Sequence, residues 1–181
     1  EAVVSAGNTG ALMASALFGL GRIAGVERPA IAAIFPTPTG PLLLLDAGAN
    51  VDGKAKHLQQ FAQMGSLYAE HVLHIKYPRV GLLNIGEEKE KGNQLTVESW
   101  PLLKETKINF VGNCEAKEIL SGKVDVIVCD GFVGNLILKF GESISDLIVN
   151  LMKKELSKSL LNKFAALLLL PALGNIKKSV D

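Results

Sequence analysis

Five short stretches combine glycine with asparagine or aspartate: SAGNTG from Ser5, DAGAN from Asp46, NIGEEKEKGN from Asn84, GNCEA from Gly112 and DGFVGN from Asp130. Glycine lets a backbone approach a ligand closely, and asparagine adds amide donors without net charge. Where such a stretch opens a helix, the free N–H groups and the partial positive charge there suit an anion. The chemistry within reach is the holding of a small anion and of an oxyanion that develops beside it. Glycine, asparagine and aspartate also build ordinary turns and helix caps. Their recurrence favours an anion-binding edge over turn chemistry alone.

That edge needs elements to position it. Short runs apolar at every position precede or adjoin these stretches: AVVS, AIAAIF, LLLLD, VGLLNI, INFVG and VDVIVCD. Continuous rather than alternating apolarity marks strands covered on both faces. Leu58, Phe61, Ala62, Gly65, Tyr68, Ala69 and Val72 recur at helical spacing, as do Leu12, Ala16, Gly19, Leu20 and Ile23. Strands alternating with helices predict an α/β fold, a three-layer α/β/α sandwich with a mainly parallel sheet. Ligands of such sheets bind outside the carboxyl ends of the strands, where the glycine-rich stretches fall.

The 181 residues are 48% hydrophobic and 20% charged with a net charge of +1, the balance of one globular domain. Without a basic cluster interleaved with aromatics there is no footprint for nucleic acid. Cys114 and Cys129 form no CxxC pair and read as buried free thiols of a reducing cytoplasm. His57, His71 and His74 lack metal-ligand spacing, and His71 and His74 are expected to share a solvated helix edge. No metal site is expected. No signal peptide opens the chain, which reads as beginning inside a fold. GxGxxG, GxxxxGK[ST] and GxSxG are all missing. The residues alone indicate an α/β enzyme or binding protein for a small anion.

VVSAGNTGALM, GRIAGVERPA, LLLDAGANVDGK, HLQQFAQMGSLYAE, RVGLLNIGEEKEKGN, NFVGNCEA and DVIVCDGFVGNLILK together closely resemble the phosphate acyltransferases of bacterial phospholipid synthesis, the PlsX family. The resemblance runs nearly the whole chain in the family's order. It implies a fold like the isocitrate and isopropylmalate dehydrogenases, and conversion of acyl-acyl-carrier protein and inorganic phosphate to acyl phosphate. It implies no metal or nucleotide cofactor. Compared with the family, the chain reads as the interior part of a longer domain. Three rival readings remain: a short-chain phosphotransacetylase using coenzyme A, an inactive membrane-associated scaffold that binds acyl-carrier protein, and a metal- and NAD-dependent dehydrogenase. The last would want clustered arginines, whereas Arg22, Arg28 and Arg79 are scattered.

With phosphate as nucleophile, no serine or cysteine nucleophile is required. The resemblance makes Lys91, ahead of a helix starting at Asn93, the cation that neutralises developing charge. It makes Asn135, at an expected helix start, the donor to the thioester oxygen. Asn8, Thr9, Gly48, Asn50, Asn84, Asp130 and Gly134 are the expected phosphate and thioester cradle. Asp130 and Asp46 are expected to orient backbone rather than to act as bases.

The closing segment poses a separate question. Residues 1–156 read as the α/β core, and residues 157–181 as an amphipathic helical hairpin. Leu147, Leu151, Leu156 and Leu160 line up on one long helix, and Pro171 is expected to end the run that follows. Phe164, Leu167, Leu168, Leu169 and Leu170 belong to a stretch apolar on every side, flanked by Lys153, Lys154, Lys158, Lys163, Lys177 and Lys178. Too short to span a bilayer, it suits either a partner subunit or anionic lipid. The expectation is a homodimer whose paired hairpins present leucine to the membrane, in a cytoplasmic protein that hands its product to a membrane acyltransferase.

Overall fold

The structure, a computed structural model, describes the backbone of residues 4–180, and side chains as far as Pro171 together with Gly174. The chain divides into two compact units, Glu1–Asn135 and Leu136–Asp181. The first contains α1 (Thr9–Leu20), β1 (Ala32–Thr37), β2 (Gly40–Leu45), α2 (Ala55–His71), β3 (Arg79–Asn84), α3 (Gln94–Lys104), β4 (Asn109–Glu115), β5 (Val126–Val128) and the opening of α4 (Gly131–Ser157). Of the expected opening strand AVVS, Ala2 and Val3 lie outside the described residues, and Val4 and Ser5 are not in a strand.

The strands form one sheet in the order β1-β2-β5-β3-β4, with β1 antiparallel to β2 and the other pairings parallel. Continuously apolar runs occupy the centre: Leu42 to Leu45 and Val126 to Val128 are all buried. β1 lies at the edge and alternates between exposed and half-buried residues. Its hairpin to β2 closes through Pro38 and Thr39, and Gly40 takes φ 131°, which favours glycine.

Leu43, Leu45, Val80, Leu82, Val126 and Val128 pack with Leu58, Phe61, Ala62 and Ala69 of α2 and with Leu103 of α3. Each large apolar side chain buried this way contributes about 1.5–3 kcal/mol. α2 comes close to the sheet because residue 65 is glycine. A Cβ there would lie 2.5 Å from Leu45 Cδ1 and 2.7 Å from Val126 Cγ1. At the amino ends of β3 and β5, Arg79 grips Asp125 with a fork of two bonds, Nε to Oδ2 at 2.9 Å and a terminal nitrogen to Oδ1 at 2.8 Å. The Arg79 main-chain N–H adds a third at 2.7 Å.

Two local expectations for this unit change. The α1 helix stops at Leu20, short of Ile23, because Gly21 turns to φ 74°. His71 is the last residue of α2, and His74 lies beyond it at φ 58°, so they share no helix face.

In the second unit, α4 ends at Ser157 and α5 spans Leu160–Val180. The long helix expected through Leu160 is therefore interrupted at Lys158 and Ser159, which puts Leu147, Leu151 and Leu156 on α4 and Leu160 on α5. Ser159 accepts the Asn162 N–H at 3.0 Å, which starts the second helix. Pro171 does not end α5. A proline removes one N–H donor, and its ring crowds the preceding turn, yet a helix rich in leucine continues past it. The side chains of Lys177 and Lys178 lie outside the described residues.

Candidate functional site

The parallel strands β2, β5 and β3 end on the same side of the sheet, and the residues after them build one edge. Its centre is Asp46, a fully buried carboxylate at the end of β2. Oδ1 accepts N–H bonds from Ile31 at 3.0 Å, Gly48 at 3.2 Å and Ala49 at 2.8 Å. Oδ2 accepts the Asn50 main-chain N–H at 2.7 Å and the Asn50 Nδ2 at 2.8 Å. Among the described residues no cation pairs with it. A buried carboxylate is costly unless its lone pairs are filled, and here N–H dipoles fill them.

Asn50 extends the arrangement. Its Nδ2 also donates to the Pro29 carbonyl at 2.8 Å, and its own carbonyl accepts the Gly131 N–H at 2.8 Å. Asp130 caps α4 by accepting the Val133 N–H at 3.0 Å. The helix therefore starts at Gly131 rather than at Asn135, which sits one turn inside it. Gly131 and Gly134 seat that first turn directly on β2's loop. A Cβ on Gly131 would lie 2.7 Å from Asn50 N, and one on Gly134 would collide with the Asp46 carbonyl oxygen. These glycines bring backbone against backbone.

Asn135 is exposed at the mouth of this assembly. Gly48, also exposed and at φ 128°, faces it: a Cβ on Gly48 would stand 3.4 Å from Asn135 Cβ and 3.5 Å from its Oδ1. The bare backbone of residue 48 leaves the carboxamide open to solvent.

A second group follows β3. Asn84 donates from Nδ2 to the Lys91 carbonyl at 2.8 Å, while its Oδ1 accepts the Ile85 N–H at 2.8 Å, which fastens both ends of the charged loop. Gly92, at φ 100°, fits between Asn84 Oδ1 and Thr96 Oγ1. Asn93 then caps α3 by accepting the Thr96 N–H at 3.0 Å. The Lys91 side chain is exposed, passes over Gly86, and has no hydrogen bond or ion pair among the described residues. Gly53 joins the two groups, since a Cβ there would touch Asp130 Cβ at 3.4 Å and Leu95 Cδ2 at 3.5 Å.

Gly48, Asn50 and Gly134 thus meet at Asp46, Asn135 stands against Gly48, Asp130 caps the same helix, and Asn84 holds the Lys91 loop at the end of β3. Asn8 and Thr9 stand apart: Asn8 caps α1 by accepting the Ala11 N–H at 3.0 Å, and both residues are exposed. Residue types alone gave no sign of Pro29 and Ile31, whose backbone anchors Asn50 and Asp46. Gly131 lies inside the DGFVGN stretch, but its bond to Asn50 joins segments far apart in sequence. The thiols suit a structural place. Burial, then the Glu118 charge, pushes Cys114 up to about 12, and burial raises Cys129 as well. No cluster of His, Cys, Asp and Glu among the described residues could hold a metal ion.

In the second unit Phe164, Leu167, Leu168, Leu169 and Leu170 are all exposed, Leu168 at 69%. No described helix is long and apolar enough to cross a membrane.

A model of the family described as Fatty acid synthesis protein matches residues 1–181. Proteins named phosphate acyltransferase from Moorella thermoacetica and Aquifex aeolicus are 57% and 55% identical over 181 residues, all of this chain and 53% and 54% of their own. The chain spans about half the length of the curated relatives it matches. Among solved structures, EutD phosphotransacetylase from Staphylococcus aureus superposes with a TM-score of 0.57 at 16% identity, over 72% of this chain and 46% of its own. A branched-chain phosphotransacylase from Enterococcus faecalis gives 0.51 at 18%, over 69% and 54%. These two likenesses concern the fold.

Proposed function

The chain belongs to the family described as Fatty acid synthesis protein, relatives of which at 57% and 55% identity are named phosphate acyltransferase, and from that footing we propose that the protein converts acyl-acyl-carrier protein and inorganic phosphate to acyl phosphate for phospholipid synthesis. A phosphate oxygen attacks the thioester carbonyl carbon, the C–O bond forms and the C–S bond breaks. The proton given up by phosphate ends on the departing thiol. The observation that carries this reading is the open carboxamide of Asn135 opposite Gly48, at the strand edge that also bears the unpaired Lys91.

Asn135 donates to the thioester oxygen as it becomes an oxyanion, and Lys91 offsets the negative charge gathered there. A donor of this kind is worth about 2.7–4 kcal/mol of barrier in other enzymes, and positioning of the two reactants adds several more. Asn84 is the cradle candidate at this edge with a donor left to offer, and Asn8 and Thr9 keep their side-chain donors free among the described residues but stand apart from it. Gly48, Asp130 and Gly134 shape the edge, and Asp46 holds it. The proposed architecture of the whole protein is the three-layer sandwich of the isocitrate and isopropylmalate dehydrogenases.

Residues 157–181, expected as a hairpin but occupied from Leu160 to Val180 by the single helix α5 because Pro171 does not break it, are the proposed contact element through which a homodimer touches anionic lipid. The exposed leucines of α5 beside Lys158 and Lys163 support this reading. A hydrophobic acyl phosphate bound for a membrane acyltransferase gives such contact a use.

The test is phosphate-dependent thiol release by the full-length protein, with long-chain acyl-acyl-carrier protein beside acetyl-coenzyme A. Release from the carrier protein substrate is expected. Release from acetyl-coenzyme A alone would establish the short-chain phosphotransacetylase instead, and release from neither a binding scaffold.

A further inference from the structure

We propose that Asn50 is a positioning residue for this reaction, acting through Asn135 rather than touching phosphate; this rests on the assignment of Asn135 as the oxyanion donor. A side-chain amide has two N–H protons, and both are already committed. One goes to Asp46 Oδ2 at 2.8 Å and the other to the Pro29 carbonyl at 2.8 Å. Its main-chain N–H is also taken, by Asp46 Oδ2 at 2.7 Å. What Asn50 could still offer a ligand is its Oδ1, an acceptor, which an anion does not seek.

Its bonds lead to the reactive edge instead. The Asn50 carbonyl holds the Gly131 N–H at 2.8 Å, and Gly131 has no room for a side chain against Asn50 N. Asn135 stands four residues on, one turn above Gly131 on the same helix face. Asn50 also draws Asp46 into place, and the Asp46 carbonyl lies under Gly134. One residue therefore ties the Pro29 loop, the turn after β2 and the start of α4. That fixes where the Asn135 carboxamide faces Gly48.

A double-mutant cycle in the full-length protein tests the link, with turnover and the KM for phosphate measured by thiol release for wild type, Asn50→Ala, Asn135→Ala and the pair. Asn50→Ala alone should lower kcat about tenfold with the KM for phosphate within about twofold, and should cost less than about twofold once Asn135 is alanine. Asn50→Ser, which keeps one donor, should fall between wild type and alanine, and serves in the same cycle if alanine does not fold. A KM for phosphate raised severalfold with kcat intact would make Asn50 a direct ligand and overturn the proposal. Effects that multiply in the pair would overturn it while leaving Asn135 in its assigned part. Wild-type turnover by Asn135→Ala would overturn both readings.

Discussion

Gly134 lies directly on the carbonyl oxygen of Asp46, and a side chain at residue 134 would overlap that oxygen while standing 3.0 Å from Cys129 Sγ. Backbone cannot swing aside as a flexible side chain would. Gly134→Ala gains about 1 kcal/mol of helix propensity, yet the forced separation should leave a net loss of about 1–2 kcal/mol. Urea denaturation should show the lower midpoint, and turnover should fall as α4 lifts from its seat. An unchanged midpoint would mean the contact is looser than its geometry.

Lys91 and Asn135 should be costly to activity and cheap to stability. Both side chains are exposed, so trimming them opens no cavity. Lys91→Ala and Asn135→Ala should each lower turnover at least tenfold, about 1.4 kcal/mol of barrier, with unchanged circular dichroism and melting temperature. Near-normal turnover by either folded variant would return that residue to an ordinary surface position.

Acid should loosen the amino end of the sheet. Burial works against Asp125 ionising, but its bonds to the Arg79 side chain and N–H prevail and hold it below the ordinary 3.8. A carboxyl whose folded pKa is depressed contributes stability above its unfolded pKa, and the contribution is lost as pH falls through the folded value. The melting temperature should drop as pH falls below about 4. Asp125→Asn should melt lower at neutral pH, and its gap from wild type should narrow towards about pH 2. A gap constant across that window would mean the pair carries no proton-linked stability.

Leu168→Glu separates the two candidate partners of α5. In the full-length protein, loss of flotation on anionic vesicles with the dimer intact supports lipid contact. A dimer that falls apart supports subunit contact. Unchanged flotation would remove lipid from the account.

Much of the sheet is legible in the sequence, because short apolar runs bounded by turn residues, such as Leu42–Leu45 and Val126–Val128, read as strands buried on both faces. Apolarity alone does not decide it, since the same four leucines at Leu167–Leu170 lie in α5 and are exposed. The antiparallel direction of β1 is less so, since apolarity carries no sense of direction. The candidate edge was located by its glycines, but their use was not. Gly131 and Gly134 read as ligand approaches and in the structure seat one backbone on another. Asn50 read as a ligand donor, and its donors prove spent on Asp46 and Pro29. Which partner a polar group finds depends on segments far apart in sequence, as with Pro29 and Gly131. Expectations that rested on helical spacing failed where the helix stopped, as at His74, whose positive φ lies beyond α2.

Strand order also governs how the chain can fold. β5 is the last strand in sequence, yet it lies between β2 and β3. Until Val126–Val128 has been made and inserted, β2 and β3 each keep an open, strongly apolar edge. The Asp46 turn and the β1–β2 hairpin close within about 20 residues and can form early. The centre of the sheet must wait for a strand some 80 residues downstream of β2, which makes its assembly slow and exposes sticky edges on a nascent chain. A chain truncated before residue 126 would keep its hairpin and α1 to α3 but lose the strand that joins β2 to β3, and aggregation rather than a smaller fold is its natural fate.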